Sequence, residues 1–142
     1  MLVSTKGRYA LRVIIDLAEH YNGSYIPMKD VAARQGISLK YVTKIMPSLT
    51  EAKLVEGVHG KGGGYRLMKD PQDCTVGEIL RLAEGSIRPL NCPELCSEPC
   101  NQVAECRTLS MWKELDHIIS DYLDSVTIAD LMKRDFADNY VI

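Results

Sequence analysis

Four of the chain's five cysteines, Cys92, Cys96, Cys100 and Cys106, fall within fifteen positions and run C-x3-C-x3-C-x5-C. Thiolates are soft ligands, so a gathering of this kind selects an iron-sulfur centre, zinc or copper(I). The spacing is not the ferredoxin run, and the first three cysteines also supply the short separation used by zinc pairs. A reactive redox thiol is a third chemistry open to them. The fifth, Cys74, lies apart and reads as a small apolar residue. A second set of residues suits a polyanion. Ser38, Lys40, Tyr41, Thr43 and Lys44 crowd one short run, and His59, Gly60 and Lys61 open the glycine-rich stretch HGKGGG. Lysine offers charge to phosphate or a contact to guanine, serine and threonine hydroxyls pair with bases or phosphates, and tyrosine donates to phosphate. Arg8 and Lys6 add cations for a sugar-phosphate backbone.

The charge balance separates these two sets. Residues 1–70 hold 11 Lys+Arg against 6 Asp+Glu, a balance of +5, whereas residues 71–142 hold 6 against 13, a balance of −7. A basic front half joined to an acidic back half implies that only the front meets nucleic acid. Residues 1–20 carry no export pattern and no apolar run is long enough for a bilayer, so the expectation is a soluble cytoplasmic protein without a membrane partner. In that reducing compartment, clustered cysteines serve metals or redox chemistry rather than structural bridges. No nucleophile-base pair and no paired carboxylates converge, which argues against an enzyme.

The elements that must carry these residues follow from periodicity. Tyr9, Leu11, Ile14, Ile15, Leu17 and Ala18 recur at helical spacing, giving a first helix over about residues 5–21, with Ser4 or Thr5 able to cap it and Asn22-Gly23 ending it. Met28, Val31 and Ala32 mark a second helix, and Leu39, Val42, Ile45 and Leu49 a third. Gly36 permits the turn between them and Ser38 caps the third, which is a helix-turn-helix. Pro47 is expected to kink or break that third helix. Leu54, Val55 and Val58 before the glycines, and Tyr65, Arg66 and Leu67 after them, form a hairpin wing. Without a Gly-Lys-Ser/Thr ending and a following helix, the glycines are not a nucleotide loop. Thr75 and Glu78 make a capping box for the next helix. A long helix over about residues 104–125 then shows Leu109, Trp112, Leu115, Ile118, Ile119, Tyr122, Leu123 and Val126 at steps of three and four. Its apolar stripe exceeds what one small winged unit covers, and the same helix of a second chain is the simplest partner. The expected class is mainly α with a small β-hairpin wing: a winged helix-turn-helix domain at 1–70, then a helical region at 71–142 with a cysteine loop at 91–106 and a dimerisation helix.

Taken in order, STKGRYAL, RQGISLKYV, the wing GKGGGYRL, TVGEI and the cysteines leading into a leucine-tryptophan helix resemble the iron-sulfur cluster regulators, the IscR family within the wider Rrf group of bacterial winged-helix repressors, over residues 1–131. The resemblance implies a homodimeric transcription factor that binds a pseudo-palindromic double-stranded operator, regulates iron-sulfur cluster biogenesis and holds a cluster, 2Fe-2S before 4Fe-4S, on three cysteines. Those match Cys92, Cys100 and Cys106, with Cys96 able to replace or join Cys100. The family's histidine ligand three residues past the last cysteine is Leu109 here, and the position at which nitric-oxide-sensing relatives carry a ligand is Arg8, which cannot ligate. The family's minor-groove arginine is His59, a weaker cation at neutral pH. Where the family's best-known regulator has a glutamate that ties operator choice to the cluster, this chain has Thr43. His117 reads as a surface residue. Two other readings stay open: a winged-helix repressor sensing nitric oxide, thiol or cysteine status or zinc, and a zinc-stabilised protein-interaction module.

Overall fold

The computed structural model describes residues 3–89 and 107–132. Helix α1 (Thr5–Glu19) is the centre of the packing, with Ala10, Val13, Ile14 and Leu17 fully buried. Around it lie α2 (Met28–Gln35), α3 (Leu39–Glu51), the hairpin strands β1 (Val55–Val58) and β2 (Gly64–Leu67), α4 (Val76–Glu84), α5 (Leu109–Ser125) and α6 (Ile128–Met132). The expected class is therefore found: mainly helical, with a two-stranded antiparallel hairpin in which Val55 pairs Leu67 and Val58 pairs Gly64. Ile14 and Leu17 of α1, Val31 of α2, Ile45 and Leu49 of α3, Val55 of β1, Ile79 of α4 and Ile128 of α6 close one core. Burying a side chain of this size is worth about 1.5–3 kcal/mol, so the core specifies how the recognition elements sit on α1.

Several local expectations hold and several change. Gly36 adopts φ 65°, the left-handed conformation that ends α2 without a Cβ penalty. Ser38 Oγ accepts the Tyr41 amide at 3.2 Å and so caps α3. Pro47 does not break α3, which runs through it to Glu51 because Met46 and Leu49 on either side are locked in the core. Thr75 caps α4 by accepting the Glu78 amide at 3.2 Å. The reciprocal half of the box is absent, because the Glu78 carboxylate takes the Lys69 ammonium at 2.9 Å instead. Ser4 stands at the N-cap of α1 but its side chain caps nothing there.

The long C-terminal helix starts later than expected, at Leu109, with Arg107 and Thr108 in a turn before it. It ends at Ser125. Asp130 Oδ2 accepts the Thr127 amide at 3.0 Å and Thr127 Oγ1 accepts the Asp130 amide at 3.1 Å, a reciprocal cap that starts α6. α6 turns back so that Ile128 is fully buried. Leu123 and Val126 pack on Val76, Leu80 and Ile87, while Met111, Leu115, Ile118 and Tyr122 are 36–64% exposed along the other side.

Candidate nucleic-acid interface and the frame of the cysteine segment

The outward surface of α3 carries Ser38, Lys40, Thr43 and Lys44, all exposed. Tyr41 differs: its ring is half-buried and meets Tyr9 of α1 edge-on, 5.2 Å between centroids, so it packs the third helix onto the first. Thr43 Oγ1 donates back to the helix, lying 3.0 Å from Leu39 O and 2.9 Å from Lys40 O. At the hairpin tip His59, Gly60 and Lys61 are exposed. The base of the hairpin is held by Ile26, whose amide and carbonyl both pair with Tyr65, at 2.8 and 2.9 Å. That third edge lies so close to Gly64 that a Cβ there would come within 2.2 Å of Ile26 O. Arg66, the other wing cation, is engaged by Glu56 and covers the Tyr25 ring at 4.7 Å. Arg8 and Lys6 are exposed on the first turns of α1.

What orients α3 was missed in the sequence. Asp16, fully buried in α1, accepts Arg34 Nη2 at 2.6 Å, Arg34 Nε at 3.0 Å and Gln35 Nε2 at 2.9 Å from the last turn of α2. Arg12, one turn earlier, donates to the Gln35 side chain at 3.2 Å and to its carbonyl. Burial pushes the Asp16 carboxyl up, but the hydrogen bonds from Arg34 and Gln35 and the charges of Arg34 and His20 outweigh it and hold the group below the usual carboxylate range. The network clamps the residues immediately before the Gly36 turn, and hence the entry angle of α3. Its signal was a lone carboxylate between Ile15 and Leu17 on the apolar side of α1.

Cys92, Cys96, Cys100 and Cys106 lie outside the described residues, and among the described residues no group of His, Cys, Asp or Glu is gathered to hold a metal. The fit of a cluster therefore rests on the donor set and its frame. Four thiols suit iron-sulfur, zinc or copper(I). In sequence they fall between α4 and α5, two helices that Arg81 and Asp124 fasten with a two-pronged pair at 2.7 and 3.0 Å. Glu84, at the end of α4, reaches the start of α1, where its Oε1 accepts the Ser4 amide at 2.8 Å, the Ser4 hydroxyl at 2.7 Å and the Gly7 amide at 3.1 Å. Those bonds hold the Glu84 carboxyl below the usual range. Because this is the N-cap of α1 supplied from another helix, Glu84→Ala should lower the unfolding free energy by about 1 kcal/mol, read by chemical denaturation. Cys74 is fully buried and its thiol is pushed up to about 11, chiefly by burial, so it is protonated and inert. His117 is exposed on α5 with Asp121 at 3.8 Å.

A capped helix behind a glycine turn, flanked by a hairpin with a basic tip, is a winged helix-turn-helix, and the protein is of the class that reads duplex DNA through that helix. Residues 3–134 match the Rrf2 family model, described as an iron-dependent transcriptional regulator. The HTH-type transcriptional regulator IscR of Vibrio campbellii (strain ATCC BAA-1116) is 35% identical over 142 residues, covering 100% of this chain and 81% of the relative. Among solved structures, CymR (YrzC), the global cysteine regulator of B. subtilis, superposes with a TM-score of 0.79 at 30% identity, over 95% of this chain and 99% of the other. IscR of T. potens gives 0.72 at 32% identity, over 99% and 97%. The chain belongs to the Rrf2 family of transcriptional regulators and is a DNA-binding regulator similar to IscR, not an enzyme. Among the described residues no helix is long and apolar enough to cross a membrane.

Proposed function

We propose that this regulator is a homodimer whose binding to a pseudo-palindromic operator is governed by an iron-sulfur cluster, of the 2Fe-2S type, and that its targets include cluster biogenesis. The observation that carries this reading is the position in sequence of four thiols between α4 and α5, in a chain that matches a family model described as an iron-dependent transcriptional regulator. Cys92, Cys100 and Cys106 are the ligands, and Cys96 is the thiol available for the fourth position, since Leu109 and Arg8 offer no donor. The cluster supplies a redox-labile crosslink that oxygen, nitric oxide or iron scarcity removes. Drawing the sulfurs together sets the end of α4 against the start of α5. α4 holds α5 through Arg81 and α1 through Glu84, so that setting reaches both the reading head, residues 1–70, and the helix that faces the second copy. Met111, Leu115, Ile118 and Tyr122 recur at steps of four, three and four and stand exposed, a seam that suits a matching helix.

On the duplex, α3 enters the major groove with Ser38, Lys40, Thr43 and Lys44 outward, Lys6 and Arg8 face phosphates, and His59, Gly60 and Lys61 follow the minor groove. Tyr41, packed on Tyr9, keeps only its rim for a phosphate. Anaerobically isolated protein should be brown, carry iron and acid-labile sulfide in equal amounts and sediment as a dimer. Colourless protein containing zinc or free thiols would overturn the cluster reading. The likeness to a cysteine regulator gives that outcome a definite alternative, a repressor sensing thiol status through the same cysteines.

A further inference from the structure

The recognition helix presents two parallel rows, and one of them is apolar. Leu39, the first residue of α3, is 48% exposed although it is a leucine, and Thr43 lies one turn further along the same face. The Thr43 hydroxyl is turned onto the carbonyls of Leu39 and Lys40, 3.0 and 2.9 Å away, which leaves its γ-methyl as the outward group. Beside this pair, displaced by one residue, Lys40 and Lys44 form the second row. In the major groove, guanine offers acceptors to a lysine, and thymine offers a 5-methyl that is read by apolar contact.

We infer that Leu39 and Thr43 read thymine 5-methyl groups, next to a guanine contacted from the lysine row, so that each half-site carries thymine at the positions facing the start of α3. Thr43 thus specifies through its methyl, not its hydroxyl. The inference rests on the DNA-reading role and adds the base to it. A glutamate at position 43 would select a donor in the groove, whereas a methyl selects another methyl.

The test starts from an operator enriched by the full-length protein from a random duplex pool, in which each thymine is then replaced in turn by deoxyuridine. Removing a contacted methyl should weaken binding about four-fold, the worth of one buried methyl-sized group. Thr43→Ser should lose the same factor on the thymine operator and become indifferent to deoxyuridine at that one position. Thr43→Val, which keeps the methyl and discards the hydroxyl, should bind as the parent does. Leu39→Ala should behave like Thr43→Ser at a neighbouring thymine. Uniform tolerance of deoxyuridine, or a valine variant as weak as the serine variant, would overturn the inference while leaving the DNA-reading role intact. Failure of the pool to enrich any sequence would overturn that role, and this inference with it.

Discussion

Arg34→Ala should lower the unfolding free energy by about 3 kcal/mol, the low end of the cost of removing one partner from a buried ion pair. The low end applies because Arg34 keeps 35% of its side chain in solvent while Asp16 has none. The substitution strands the Asp16 carboxylate in the core with only Gln35 to donate to it and the partly exposed His20 beside it. Asp16→Asn should cost less, since the guanidinium it releases already reaches water. The double variant Asp16→Asn with Arg34→Met should recover part of the loss. The same network sets an acid response. In the parent, the native carboxyl lies below its unfolded value of about 3.9, so the stabilisation is complete above that pH and disappears as pH falls through the native value. In Arg34→Ala the hydrogen bonds and charge of Arg34 no longer oppose burial, so Asp16's share of the rise of stability with pH shrinks. The slope of unfolding free energy against pH becomes shallower than the parent's. Denaturation series between pH 3 and pH 6 read both effects, and equal slopes in parent and variant would refute this account of the clamp.

Replacing Cys92, Cys100 and Cys106 together by alanine should abolish iron and sulfide retention and the visible absorption, without lowering the thermal midpoint of the core around α1. Among the described residues that core is built from α1, α2, α3, the hairpin, α4 and α6. Cys96→Ala alone distinguishes a fourth thiolate from a bystander: loss of the absorption band assigns it to the cluster, and an unchanged spectrum gives the fourth position to another group. Cys74→Ala should leave iron content unaltered, because that thiol is buried in the core and held protonated. Retention of iron by the triple variant would remove the proposed ligands.

What was legible in the chain was local. Gly36 and Ser38 announce the turn and the cap of α3 because their reasons lie within three residues, and HGKGGG between apolar runs announces the hairpin. What was not legible depends on residues far away in sequence. Ser4 looks like the cap of α1, yet the acceptor comes from Glu84, eighty residues on, which no local spacing reports. Asp16 reads as an ordinary charge until Arg34 and Gln35 are brought over it by the packing of α2 on α1. The apolar periodicity of the last helix reaches Val126 and says nothing of the turn back into α6. The Thr127–Asp130 cap is the local signal for that turn, and burial of Ile128 gives it its purpose. Pro47 erred in the other direction: the lost hydrogen bond is real, but the buried flanks of α3 outweigh it.

The most direct measurement is the affinity of one preparation for its selected operator, anaerobically with its cluster and again after iron has been removed, at a single fixed salt concentration. Control of the reading head through Arg81 and Glu84 predicts a difference of about ten-fold or more, within the usual range of allosteric coupling. The triple cysteine variant should show one affinity under both treatments. Identical binding by cluster-loaded and cluster-free parent protein would contradict the proposed control.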